Sequence, residues 1–90
     1  MSVVKIRCQV LPGIFQTEYY VLVNGSSGYY VSTSNVEVAS AVTADRPVDG
    51  SVRGYLIAEA DDKALVQLPG EAMVGSLRTW VEKKYVSLSA

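Results

Sequence analysis

Two stretches of this chain carry the same phrase. Tyr30-Val31, four spacer residues and Val36-Glu37-Val38 are matched by Trp80-Val81, four spacer residues and Val86-Ser87-Leu88. Both read aromatic-Val-x-x-x-x-Val-x-aliphatic, displaced by 80 − 30 = 50 residues. The first copy holds Ser32-Thr33-Ser34-Asn35 among β-branched residues, a composition that favours turns and strands over helix. If the copies share a conformation, the second is also strand–turn–strand. That reading opposes a local pattern, because Val74, Leu77, Val81, Tyr85 and Leu88 fall at helical spacing. Gly75 lies inside that stripe, where glycine costs a helix about 1 kcal/mol. We read residues 71–88 as β, with a C-terminal helix as the alternative.

The echo extends upstream. Glu18 to Val23 aligns with Lys63 to Leu68 at an offset of 68 − 23 = 45, so the second unit carries a loop longer by 50 − 45 = 5 residues, Pro69 to Arg78. The chain therefore reads as a single domain, 1–90, with an internal repeat over 10–38 and 55–88.

Ninety residues make one small domain with a thin stability margin. One cysteine, Cys8, rules out an internal disulfide, and the absence of histidine removes the usual zinc ligand sets. The hydrophobic fraction of 49% is high for so small a domain and suggests that part of it covers a partner. A net charge of −1 argues against bulk electrostatic binding to nucleic acid. Lys5 and Arg7 interrupt the first apolar run, so no secretory segment is read there. No run approaches the roughly 20 apolar residues that span a bilayer. The expected setting is the cytoplasm.

Alternation marks the strands. Val4, Ile6, Cys8 and Val10 face one way and Lys5, Arg7 and Gln9 the other, so residues 3–11 form a half-buried strand with Cys8 as a small core residue. Phe15, Thr17, Tyr19, Val21 and Val23 share a face of the next strand. Asn24-Gly25 is a hairpin signal, since both residues tolerate positive φ. Residues 45–50 read as a loop, with a strand from Val52 to Ala58, a bulge at Gly54, a charged turn at 59–63 and a strand from Ala64 to Leu68.

Residues 48–88 resemble an SH3-like small barrel. Val48-Asp49-Gly50-Ser51-Val52-Arg53-Gly54-Tyr55-Leu56-Ile57 is similar to its Gly-x-Val-x-Gly opening, and Asp61 to Leu68 to its hairpin. Trp80-Val81-Glu82-Lys83-Lys84-Tyr85-Val86 is similar to its closing stretch, where a short 3-10 turn joins the last two strands. Glu82 stands in place of that stretch's proline, and the Ala-Leu-Tyr-Asp-Tyr motif is absent. The resemblance thus implies a barrel topology and carries over no proline-rich peptide site. The expected fold is all-β, an SH3-like or pseudo-duplicated barrel of six or seven short strands.

Without histidine the chain lacks the commonest general base, and no serine or lysine has an evident catalytic companion. No phosphate loop, EF-hand or cofactor motif is present, and the Glu59, Asp61 and Asp62 carboxylates read as an exposed turn. The chain reads as no enzyme, with no cofactor and no metal. Two surfaces remain. Tyr19-Tyr20 and Tyr29-Tyr30 flank the Asn24 turn, and each pair should send one ring outward. Tyr20, Tyr29 and Tyr30 are the candidate interface, register deciding which of the last two joins Tyr20, for a protein partner or a homodimer. Arg78, Trp80, Lys83 and Lys84 are the candidate contacts of the alternative, a small barrel that binds nucleic acid. The repeat argues against that alternative by making Trp80 a core equivalent of Tyr30.

Overall fold

The computed structural model describes residues 2–25, 27–74 and 76–88. Nine strands and two 3-10 helices account for its regular structure among the described residues. The strands are β1 (Ser2–Pro12), β2 (Glu18–Val23), β3 (Ser27–Ser32), β4 (Val36–Val38), β5 (Val48–Ala60), β6 (Lys63–Gln67), β7 (Glu71–Val74), β8 (Arg78–Glu82) and β9 (Val86–Leu88). The 3-10 helices are Thr33–Asn35 and Lys83–Tyr85. All pairings are antiparallel, in one sheet that curls into a nearly closed barrel.

The repeated phrase is a real structural unit. In each copy a strand, one 3-10 turn and a three-residue strand follow in order. The register confirms both offsets. Tyr20 pairs with Tyr30 in the first half and Leu65 with Trp80 in the second, so the residues separated by 45 and by 50 take matching places. The C-terminal stretch is therefore β, and its helical spacing is coincidental. The last strand of each half pairs with the first strand of the other: β4 with β5, and β9 with β1. Two rings result, β1-β2-β3-β4-β5 and β5-β6-β8-β9-β1, which share the long β1–β5 ribbon. Ile6 and Val52 face each other in that ribbon, and each also pairs with the closing valine of one copy, Val86 or Val36.

Several details differ from expectation. There are nine strands rather than six or seven, and β1 and β5 are long, because each must serve two rings. β5 begins at Val48, within the stretch read as a loop. Gly50 is what allows it: a Cβ there would lie 2.5 Å from the Glu37 carbonyl oxygen of β4. The bulge falls between Leu56 and Ala58, not at Gly54, where the side chain is absent because Ile6 and the Gln67 backbone come within 2.8 Å of a Cβ position. Phe15 and Thr17 precede β2 and are exposed, leaving Tyr19, Val21 and Val23 as the inward set. The extra residues of the second half form β7, which crosses to pair with β3 of the first half.

The core comprises Val4, Ile6, Cys8 and Val10 of β1 with Val21, Val23, Tyr29, Val31, Val52, Ala64, Val66, Leu68 and Val81. Tyr30 and Trp80, expected as core anchors, lie on the outer face. Strand alternation gives the inward places to their neighbours Val31 and Val81, each 1% exposed.

At the β2–β3 hairpin Asn24 (φ 61°) and Gly25 (φ 70°) take the left-handed conformation that the Asn-Gly step predicts. The Asn24 amide also donates to the Trp80 carbonyl at 2.7 Å, tying the hairpin tip to the edge of β8. Asn24→Ala should cost about 2 kcal/mol, roughly 1 from the backbone conformation and roughly 1 from the lost bond. Asn24→Gly should recover the backbone part, and urea denaturation of both variants measures the split.

Candidate binding surfaces

Register places the sequence-derived residues on two outer faces. In the first half Tyr20 and Tyr30 are opposite each other on β2 and β3, with ring centroids 5.0 Å apart and planes tilted by 58°. The Tyr20 hydroxyl end lies over Gly28, which has no side chain to obstruct it. Both rings are half-buried, largely against each other and the sheet. Tyr29 points the other way, fully buried, and donates its hydroxyl to the Ser76 carbonyl at 2.6 Å. Register thus selects Tyr30 as the companion of Tyr20 and removes Tyr29 from the surface.

The outer face of the second half is more open. One row runs Val3, Tyr55, Gln67 and Arg78 across β1, β5, β6 and β8, and the next holds Ala58, Leu65 and Trp80. Val3, Tyr55 and Trp80 are 37%, 39% and 44% exposed, high values for residues of their size. Tyr55 was not singled out from the sequence. Its place on the same outer face as Trp80, two strands away and one row off, follows from pairings among three strands, which no local pattern encodes. Tyr55 and Arg78 are two strand spacings apart, or about 10 Å.

The basic cluster divides. Arg78 and Trp80 share the outer face of β8, and the Arg78 guanidinium Nε donates to the Gln67 side-chain oxygen at 2.9 Å. Lys83 and Lys84 sit on the second 3-10 helix and are paired, Lys83 with Glu59 at 3.6 Å and Lys84 with Glu82 at 3.1 Å. The Glu82 carboxylate, first by hydrogen bonding and then by its charge, raises the Lys84 pKa above its ordinary value. Among the described residues Arg53 and Arg78 pair with no carboxylate.

Cys8 is the one thiol, 8% exposed, and burial pushes its pKa up to about 12 from an ordinary 9.0. Below pH 9 both folded and unfolded chains keep the proton, and the stability due to the neutral thiol is fully present. Above about pH 9 only the unfolded chain releases it, so stability should fall by up to about 1.4 kcal/mol per pH unit until about pH 12. Cys8→Ala should flatten that slope, as chemical denaturation at pH 8 and pH 10.5 would show. Among the described residues no three His, Cys, Asp or Glu side chains converge as a metal site, and no helix is long and apolar enough to cross a membrane.

Compared with known proteins, the chain matches no family model, no curated protein and no solved structure.

Proposed function

We propose that this protein is a non-enzymatic binding and assembly module of the cytoplasm, whose working surface is the outer sheet face of the second half. The observation that carries this reading is the outer-face set of exposed Val3, Tyr55 and Trp80, with half-buried Leu65 beside Trp80. Aromatic side chains on a rigid element bring contact area at small entropy cost, which is why they anchor interfaces. The Tyr20–Tyr30 pair on the neighbouring face is the smaller part of that surface. The partner is a second copy of the chain. Light scattering over a concentration series tests this. The wild type should dimerise, and Trp80→Ser should weaken the dimer by about 10-fold or more, roughly 1.4 kcal/mol. A strictly monomeric wild type at high concentration sinks the reading.

A second reading has its own support. Arg53 and Arg78, with no carboxylate partner among the described residues, border the exposed Tyr55 and Trp80, an arrangement suited to stacking and neutralising a single-stranded nucleic acid. It requires Trp fluorescence to quench on adding oligonucleotide at low salt and to recover as salt rises. Lys83 and Lys84 contribute less here than the sequence suggests, since Glu59 and Glu82 hold them.

Within the small-barrel class we propose the SH3-like type. Each ring has five strands, with a 3-10 turn between the third and the fourth, which supports that assignment.

A further inference from the structure

The two halves differ at one place that their shared topology makes directly comparable. Strand β1 is paired by β5 on one side along most of its length. On the other side it is shared by β9, which takes Val4 to Ile6, and β2, which takes Gln9 to Pro12. The Ala39 N–H donates to the Asp49 carbonyl at 3.1 Å, so odd residues of β5 face β4 and even ones face β1. In the observed register the odd residues of β1 therefore turn their N–H and C=O groups toward β9 and β2. Lys5 finds Ser87 there, and Gln9 finds Leu22. Arg7 falls between them. Two more residues of either ladder would bring Asn24 or Tyr85 opposite it. Asn24 has already entered the left-handed turn, and Tyr85 belongs to a 3-10 helix. Both partner strands peel away, and the Arg7 peptide groups face a fork.

A cleft of about 670 Å³ opens at this fork. Its accessible apolar lining is Leu22 and Tyr85, both half-buried, and the buried Cys8, Val23 and Val81 lie beneath. The rim carries side-chain amides, Gln9 and Asn24, and two charges, Arg7 and Asp49, which have no ion-pair partner among the described residues. The third rim charge, Glu82, is neutralised by Lys84. The rim is thus close to electrically neutral and rich in amide donors and acceptors.

The same fork exists in the second half, where Arg53 lies between the segments of β5 paired by β4 and by β6. The small hollow that touches Arg53 and Asn35, about 20 Å³, is lined also by Lys5, Ser34, Glu37 and Ser51 and lies across β4, β5 and β1. Leu68, the counterpart of Val23, reaches to 3.5 Å from where a Gly54 Cβ would stand, and Asn35 replaces Tyr85. The first half's fork holds a volume within the range of small-ligand sites, about 300–1,000 Å³.

We propose that the fork beside Arg7 is a binding site for a net-neutral, amide-bearing ligand with an apolar side group. The amide would pair with the Arg7 N–H and C=O, the apolar group would rest against Leu22 and Tyr85, and Gln9 and Asn24 would hold the remaining polar atoms. The balanced rim disfavours polyanions. The ligand's source is either a free small amide or one residue of a peptide chain, which share this chemistry. The site is separate from the Trp80 face, so the two ideas stand or fall independently.

The test is titration of the isotope-labelled protein with N-acetyl-leucinamide and N-acetyl-phenylalaninamide, and with the same residues inside blocked pentapeptides, up to about 5 mM, where even weak sites fill. Amide shifts should cluster at Arg7, Cys8, Leu22, Asn24 and Tyr85 and saturate. Saturation by the single blocked residues assigns a free small amide as the source, and saturation by the pentapeptides alone assigns a peptide chain. Gln9→Trp, a change at an exposed position on the cleft mouth, should weaken binding by about 10-fold or more with the folded spectrum retained. Absence of saturable shifts with all four probes, shifts centred instead on Tyr55 and Trp80, or unchanged affinity in Gln9→Trp overturns the proposal.

Discussion

Cutting the chain between Ala44 and Asp45 should leave two fragments that are unfolded alone and fold on mixing. The cut falls in the exposed loop between β4 and β5. Fragment 1–44 keeps only the β1-β2-β3 meander, and 45–90 only β5-β6-β8. Everything that closes the rings crosses the cut: the β1–β5 ribbon from Ser2–Leu56 to Val10–Val48, β4 on β5, β9 on β1, and β7 on β3. Three strands with one unpacked face are marginal in water, and a chain of half this size has too little core to offset its ordering entropy. Circular dichroism and amide spectra of each fragment, then of the equimolar mixture, measure the outcome. A well-dispersed spectrum from either fragment alone as a monomer would show that the halves are independent domains, contrary to the exchange of closing strands.

Ile6→Ala should be the most damaging conservative truncation. Ile6 is fully buried, faces Val52 and also pairs with Val86, so one side chain supports both rings. Burying and then deleting such a group costs about 2–5 kcal/mol, against a total of about 5–15 for a small domain. At about 4–8 °C per kcal/mol the melting temperature should drop by about 8–40 °C. Val3→Ala, three residues away on the outer face, should change stability by no more than about 0.5 kcal/mol. Thermal melts of the two variants side by side decide the matter, and equal effects would contradict the assignment of faces.

Much of the fold is legible in the residues because its rules are local. The alternation of Val4, Ile6, Cys8 and Val10 reports one buried face, and Asn24-Gly25 reports a hairpin, since each depends on neighbours along the chain. The repeat overrode the helical spacing at 74–88 for a physical reason: two copies of one packing unit answer to the same tertiary environment. The length of β5 was not legible. Asp49-Gly50 reads as a loop, and only the close approach of the Glu37 carbonyl explains a glycine inside a strand. Trp80 was misplaced because equivalence to Tyr30 says that two residues share a face without saying which face. Tyr55 escaped notice because its companions Arg78 and Trp80 are two strands away.

By itself the sequence determined that this is an all-β chain built from two similar units and that its chemistry lacks histidine and paired cysteines. It also determined the alternation of β1, with Val4, Ile6, Cys8 and Val10 inward. Those properties follow from backbone periodicity and side-chain inventory, which need no partner. The tertiary structure decided that the two units exchange their closing strands, that Trp80 and Tyr55 share an exposed face, and that a fork opens as a cleft beside Arg7. These depend on register between strands distant in the chain, where a shift of one residue would turn every side chain to the opposite face.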